Sequence, residues 1–265
     1  MQRLVLAIRQ CFFFLCRRKN VRFDSINTFS VYGDNKRNKF GQYTLKERTQ
    51  SEQQSKLKDC IISHDYLGEK LGYLMQWFVN SKVYITHIPQ SYSARNSYEY
   101  DRMIFDCVAF EKEFNTLFPE IKIRSKEFLN VKNDVLTYVD TLISSYSSEK
   151  KKKARNIRKS VENINISLEE RIKKAVKIHI SIMDVFIRRE YGKNTTTVIE
   201  NCAKRINELR NAFAHGNEYE ILPDHLSDLK TIEILYYVMC LNAIGLEETI
   251  IKKAICSLFE INIAF

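Results

Sequence analysis

From about Ser55 onward, apolar side chains recur at the three- and four-residue spacing of amphipathic helices. YLGEKLGYLMQWFVNSKVYI carries Leu67, Leu71, Leu74 and Phe78 on one stripe, and YDRMIFDCVAFEKEFNTLF carries Met103, Val108, Phe110, Phe114 and Leu117 before Pro119 ends it. EFLNVKNDVLTYVDTLISSY is a third amphipathic segment. Four further helical patterns follow in close succession. SLEERIKKAVKIHISIMDVFIRRE opens on a capping box, Ser167 to Glu170, and aligns Ile172, Val176, Ile180 and Met183. NTTTVIENCAKRINELRNAFAHG aligns Val198, Ile199, Cys202, Ile206 and Leu209, and Gly216 is its natural stop. LPDHLSDLKTIEILYYVMCLNAIG starts after Pro223 with Asp224 as N-cap and stops at Gly245, and LEETIIKKAICSLF closes the set. Helices joined by short loops predict an antiparallel bundle of about four.

The first 48 or so residues follow another pattern. VRFDSINTFSVYGDNKRNKFGQYTL partly alternates apolar and polar positions, and its turn signal at Tyr32-Gly33-Asp34-Asn35 predicts a few strands with a hairpin-like turn. Three or so strands are marginal alone, so they either pack on the helices or are the remnant of a larger β-domain. In MQRLVLAIRQCFFFLCRRKN, Arg9 and Gln10 split two short apolar runs, and basic residues stand where a signal peptide needs small ones. No stretch approaches the ~20 apolar residues of a membrane span, which predicts docked structure. The expected fold is therefore mainly α, in three parts: a short β-rich segment (1–50), a helical middle region (51–160) and a C-terminal antiparallel bundle (161–265).

Composition narrows this picture. Hydrophobic residues make up 45% of the chain against seven Gly and three Pro, which suits long helices and not a many-turned β-sandwich. The seven cysteines form no C-x-x-C pair and no zinc-finger spacing, so buried free thiols in a reducing cytoplasm, with no metal and no cofactor, are expected. A net charge of +10 attracts polyanions. The sharpest basic feature is SSEKKKKARNIRKS, where Lys151, Lys152, Lys153, Arg155 and Arg158 are candidate RNA contacts. The plain alternative is a solvated connector, and no aromatics interleave there to stack bases.

The strongest chemistry lies at LRNAFAHG. On a helix Asn211 and His215 share a face at i and i+4, and the long Arg210 side chain swings alongside. Carbonyls left unpaired in a last turn favour a protonated imidazole at His215. Arg210 offers a planar charge suited to phosphate oxygens, and Asn211 can hold either neighbour. Such a trio can cut RNA without metal: the ribose hydroxyl attacks the adjacent phosphate, Arg210 stabilises the developing charge and His215 transfers a proton.

Arg210-Asn211-Ala212-Phe213-Ala214-His215 resembles the R-x4-H motif of the HEPN superfamily in its R-N-x-x-x-H form. More narrowly the chain resembles the ApeA-like HEPN proteins of bacterial anti-phage defence, through this motif and, diffusely, through the stretch from Trp77 to Phe118. The resemblance implies an endoribonuclease acting in abortive infection or as a toxin, a homodimer with a composite active site, and a phage-derived trigger. Relatives of that type carry a longer N-terminal β-domain, which implies a shortened or truncated variant here. Tyr236, Tyr237 and Val238 are candidates for the dimer interface, or else for the intrachain core.

Other residues carry less. His225 suits a surface or capping role, His179 a satisfied, partly buried one, and His64 and His87 have no metal-ligand spacing around them. Asp184 and Arg188 form an i,i+4 pair that stabilises its own helix or supports the active site from the neighbouring one. Glu208 is expected to face solvent. The competing function is a non-catalytic module that binds RNA or a protein, and a third is the HEPN half of a toxin–antitoxin pair.

Overall fold

The computed structural model describes residues 2–23, 25–32, 36–44, 60–80, 82–122, 126–162, 164, 166–192 and 195–263. It is mainly helical, with a two-stranded antiparallel sheet near the N-terminus. The turn at Gly33-Asp34-Asn35 and the start of helical periodicity at Ser55 lie outside the described residues.

The chain opens on helix α1 (Gln2–Cys16), not on a strand. Ala7, Cys11, Phe14 and Leu15 are buried at helical spacing and seat it on α3 (Lys70–Val79), next to the short α2 (His64–Leu67). The Arg9 that splits the apolar run stacks its guanidinium over Phe13. The N-terminal part is thus a helix followed by a ribbon, β1 (Ser25–Tyr32) and β2 (Lys36–Thr44). Among the described residues two strands form there, where three or so were expected.

A loop with one 3-10 turn (Ser93–Asn96) leads to α4 (Tyr100–Leu117). The basic segment is not a connector: α6 (Ser148–Glu162) folds back along α5 (Lys126–Ser145) as a helical hairpin. Beyond it come α7 (Leu168–Ile178), α8 (Ile180–Tyr191), α9 (Thr195–Ala214), α10 (Pro223–Ala243) and α11 (Glu248–Phe259). The capping box forms in full, with the Glu170 amide donating to Ser167 Oγ and Glu170 accepting from the Ser167 amide.

The pattern from 168 to 190 is two helices, broken at His179, whose backbone (φ −106°, ψ 25°) leaves the helical region. His179 is buried rather than partly buried, its ring against Phe118 and its Nε2 without a hydrogen-bond partner among the described residues. Helix α10 starts at Pro223 with Leu222 as N-cap, two residues before Asp224.

Helix α10 organises the core. Its apolar residues point in every direction, so it is enclosed all round rather than on one face. It packs on α4, α9, α8, α7 and α11. Tyr236, Tyr237 and Val238 are at most 1% exposed. They are therefore core, not dimer interface: α1 brings Phe14 within 4.6 Å of the Tyr237 ring, and the two tyrosine hydroxyls donate to the carbonyls of Tyr84 and Phe14. One core cluster joins buried residues from α1 to α4 with those of α7 to α11.

Candidate active site

Helix α9 buries Val198, Ile199, Cys202, Ala203, Ile206 and Leu209, which fixes its roll and leaves its last turn at the rim. The helix ends at Ala214, and Gly216 takes the left-handed conformation (φ +68°) that a C-terminal turn requires. Phe213 wedges this end between Tyr100 of α4 and Tyr219, at ring distances of 4.8 and 6.3 Å.

Arg210 and Asn211 are joined directly: Arg210 donates to Asn211 Oδ1 at 3.0 Å. His215 follows in the turn, exposed. The carbonyls beneath it are not free, as the sequence suggested. Asn211 O accepts from the His215 amide, Phe213 O from Gly216 and Ala212 O from Asn217, because the glycine turn folds those amides back onto the helix.

Sequence reasoning missed the partner of Arg210. Glu111 of α4 accepts both Oε1 and Oε2 hydrogen bonds from the Arg210 guanidinium, at 3.1 and 3.0 Å. The same carboxylate is paired with Arg171 from the first turns of α7. Two guanidiniums therefore share one carboxylate where α4, α7 and α9 converge, and the cluster keeps a net positive charge. Arg210 is about one third exposed, Glu111 half that. An open groove of about 430 Å³ runs from Glu111 and Arg171 past Val108, Lys112, Asn115 and Thr116. The local signal was slight: Glu111 and Glu113 in FDCVAFEKEF are carboxylates set among apolar positions.

The remaining candidates are not brought to this place. Asp184 pairs with Arg188 at 2.8 Å and accepts from Thr195 Oγ1 at 2.5 Å. Thr195 begins α9, fifteen residues and about 22 Å of helix from Arg210. Asp184 and Arg188 thus hold the opposite end of the helix. On α6, Lys152, Lys153 and Arg155 are exposed, Lys151 is half-buried, and Arg158 is engaged by Asp140 at 2.7 Å and Glu162 at 3.1 Å. His225 is buried and caps α10, its Nδ1 accepting from the Leu222 amide. Glu208 is exposed beside Lys204. No group of three His, Cys, Asp or Glu side chains among the described residues is placed to hold a metal ion.

A second polar cluster lies deep in the fold. Glu233 of α10 is clasped by Arg17, whose Nε donates at 2.7 Å, and by Arg102, at 3.1 Å, with the Tyr98 hydroxyl adding a third donor. Burial alone would raise its pKa, but the two guanidiniums hold Glu233 below the usual carboxylate range. Arg102 also donates to the carbonyls of Ala94, Arg95 and Ser97. These groups tie α1, the 92–99 loop, α4 and α10 together.

Comparison of the chain with protein-family models, curated proteins and solved structures finds no match. No helix among the described residues is long and apolar enough to cross a membrane.

Proposed function

We propose that the chain is a metal-independent endoribonuclease of the HEPN type, with Arg210, Asn211 and His215 as its active residues. The observation that carries this reading is their joint placement at the solvent-facing end of α9. Asn211 holds Arg210, Glu111 fixes the far side of the guanidinium, and His215 stands one turn on, open to a substrate. A ribose 2′-hydroxyl loses its proton and attacks the neighbouring phosphorus, the bond to the 5′-oxygen breaks, and that oxygen takes up a proton. Arg210 stabilises the negative charge that builds on the phosphoryl oxygens, and His215 carries a proton in the transfer. The products are a 2′,3′-cyclic phosphate and a free 5′-hydroxyl.

The excess positive charge around Glu111 and the groove past Lys112 and Arg171 support an RNA backbone as the ligand. With one motif per chain, we place two such ends together in a homodimer, acting in anti-phage defence or as a toxin under a phage-derived trigger. One observation favours the rival, a non-catalytic RNA- or protein-binding module: the Glu111 carboxylate occupies Arg210 N–H groups that a phosphate would use.

The test is incubation of the protein with labelled RNA in excess chelator, beside Arg210→Ala and His215→Ala. Cleavage in chelator that both substitutions abolish supports the enzyme. Equal RNA binding without cutting by any of the three proteins supports the binding module.

A further inference from the structure

The β1–β2 ribbon has one exposed face. Along β1 the side chains of Asn27, Phe29 and Val31 point one way, and their cross-strand partners Gln42, Lys39 and Arg37 point with them. All six are exposed, with Phe29 at 53% and Val31 at 64%. The opposite face, with Ile26, Thr28 and Tyr43, is partly covered. The register adds a second feature. Thr28 pairs with Gly41 but Phe29 with Lys39, so Phe40 is the extra residue of a β-bulge. A bulge re-aims the side chain it displaces, and Phe40 is 78% exposed, the most open large apolar residue among those described.

The charge on this ribbon is of one sign. Lys36, Arg37 and Lys39 stand on β2, and the described strand residues include no carboxylate. Two exposed aromatic rings beside cations form the combination that single-stranded nucleic acid requires: bases stack on rings, while the backbone lies along the charges. Helix α6 has charge without rings.

We propose that the β1–β2 ribbon is a binding platform for single-stranded RNA, with Phe29 and Phe40 as stacking residues and Arg37 and Lys39 as phosphate contacts. The ligand is shared with the ribonuclease reading, but the platform stands on the ribbon's own side chains, so it is measured by binding and not by cutting. The experiment titrates fluorescein-labelled oligouridine with the full chain carrying His215→Ala, followed by fluorescence anisotropy at several salt concentrations. Adding Phe29→Ala or Phe40→Ala is expected to raise Kd about five-fold or more each. Arg37→Gln is expected to flatten the slope of log K against log salt by about 0.7. These side chains are exposed, so unchanged melting curves show that the variants fold. Unaltered affinity in the double variant Phe29→Ala/Phe40→Ala overturns the proposal. So does an equal loss on a duplex of the same length, or self-association that the substitutions abolish while RNA binding stays intact. If wild type fails to cut RNA yet the ribbon variants lose affinity, the platform stands and the ribonuclease reading falls.

Discussion

The molecule twice places two arginines on one glutamate, and the two clusters differ in depth. Around Glu233 everything is interior: Arg17 and Glu233 are at most 2% exposed, and the Arg102 donors are divided between Glu233 and three carbonyls. Around Glu111 the same two-to-one arrangement sits at a rim, with Arg210 one third exposed and a histidine one turn away. Burial decides what such a cluster can do. A guanidinium enclosed on all sides joins elements of the fold, and removing its partner leaves an uncompensated charge in a medium that solvates it poorly. A guanidinium at the rim can exchange a protein carboxylate for a ligand phosphate at little cost, because water screens both states.

The largest effect should come from emptying the interior cluster. Glu233→Ala strands Arg17 and Arg102, and urea unfolding should show a loss of about 3–5 kcal/mol. Emptying the rim cluster should reverse the signature: Arg210→Ala should shift unfolding by less than about 1 kcal/mol yet slow RNA cleavage at least ~100-fold. A Glu233→Ala protein as stable as wild type, or an Arg210→Ala protein that unfolds, would erase the distinction.

Acid should probe the interior selectively. His87 stacks beside Tyr84 and meets Tyr236 edge-on, with no hydrogen-bond partner at either nitrogen. Burial, opposed by Glu233 and reinforced by Arg102 and Lys19, pushes its pKa down to about 3. The unfolded chain therefore binds this proton first. The contribution of neutral His87 is complete above the unfolded pKa of about 6.5 and is lost as pH falls towards 3, by about 2 kcal/mol between pH 6.5 and 5. Denaturant melts at these two pH values, with His87→Phe beside wild type, should show the loss in wild type and a flatter profile in the variant.

The smallest change sharpens the rim. Glu111→Gln keeps the shape but removes the charge that fixes Arg210, so cleavage should fall about ten-fold with a fall in kcat. RNA affinity should hold or tighten, since the cluster gains a positive charge. A faster Glu111→Gln enzyme would show that the carboxylate blocks Arg210 instead of holding it.

What could be read from the sequence follows the range of each interaction. The placement of Arg210, Asn211 and His215 at one helix end, with Gly216 as its stop, was legible because it depends on neighbouring residues alone. Most helices were legible too, since an apolar stripe is a local signal. Helix α1 was obscured because Arg9 interrupts the apolar run, and the chain resolves that by stacking the cation on Phe13. The break at His179 was hidden because the apolar stripe continues across it. Glu111 lies 99 residues from Arg210, and Glu233 lies 216 from Arg17. No periodicity announces such pairs, since tertiary packing chooses which of many charges meet. The tyrosines of α10 left two readings open for a related reason: an apolar face looks the same whether it is covered by α1 or by a second chain.

The chemistry of the cut ends tests most directly whether the end of α9 is a site of RNA cleavage. Labelled single-stranded RNA should be incubated with wild type and His215→Ala in excess chelator and the fragment termini mapped. The prediction is 2′,3′-cyclic phosphate and 5′-hydroxyl ends from wild type, with their formation slowed at least ~100-fold in a His215→Ala protein of unchanged melting temperature. Fragments with 5′-phosphate ends, cleavage that stops with chelator, or equal rates from the two proteins would contradict it.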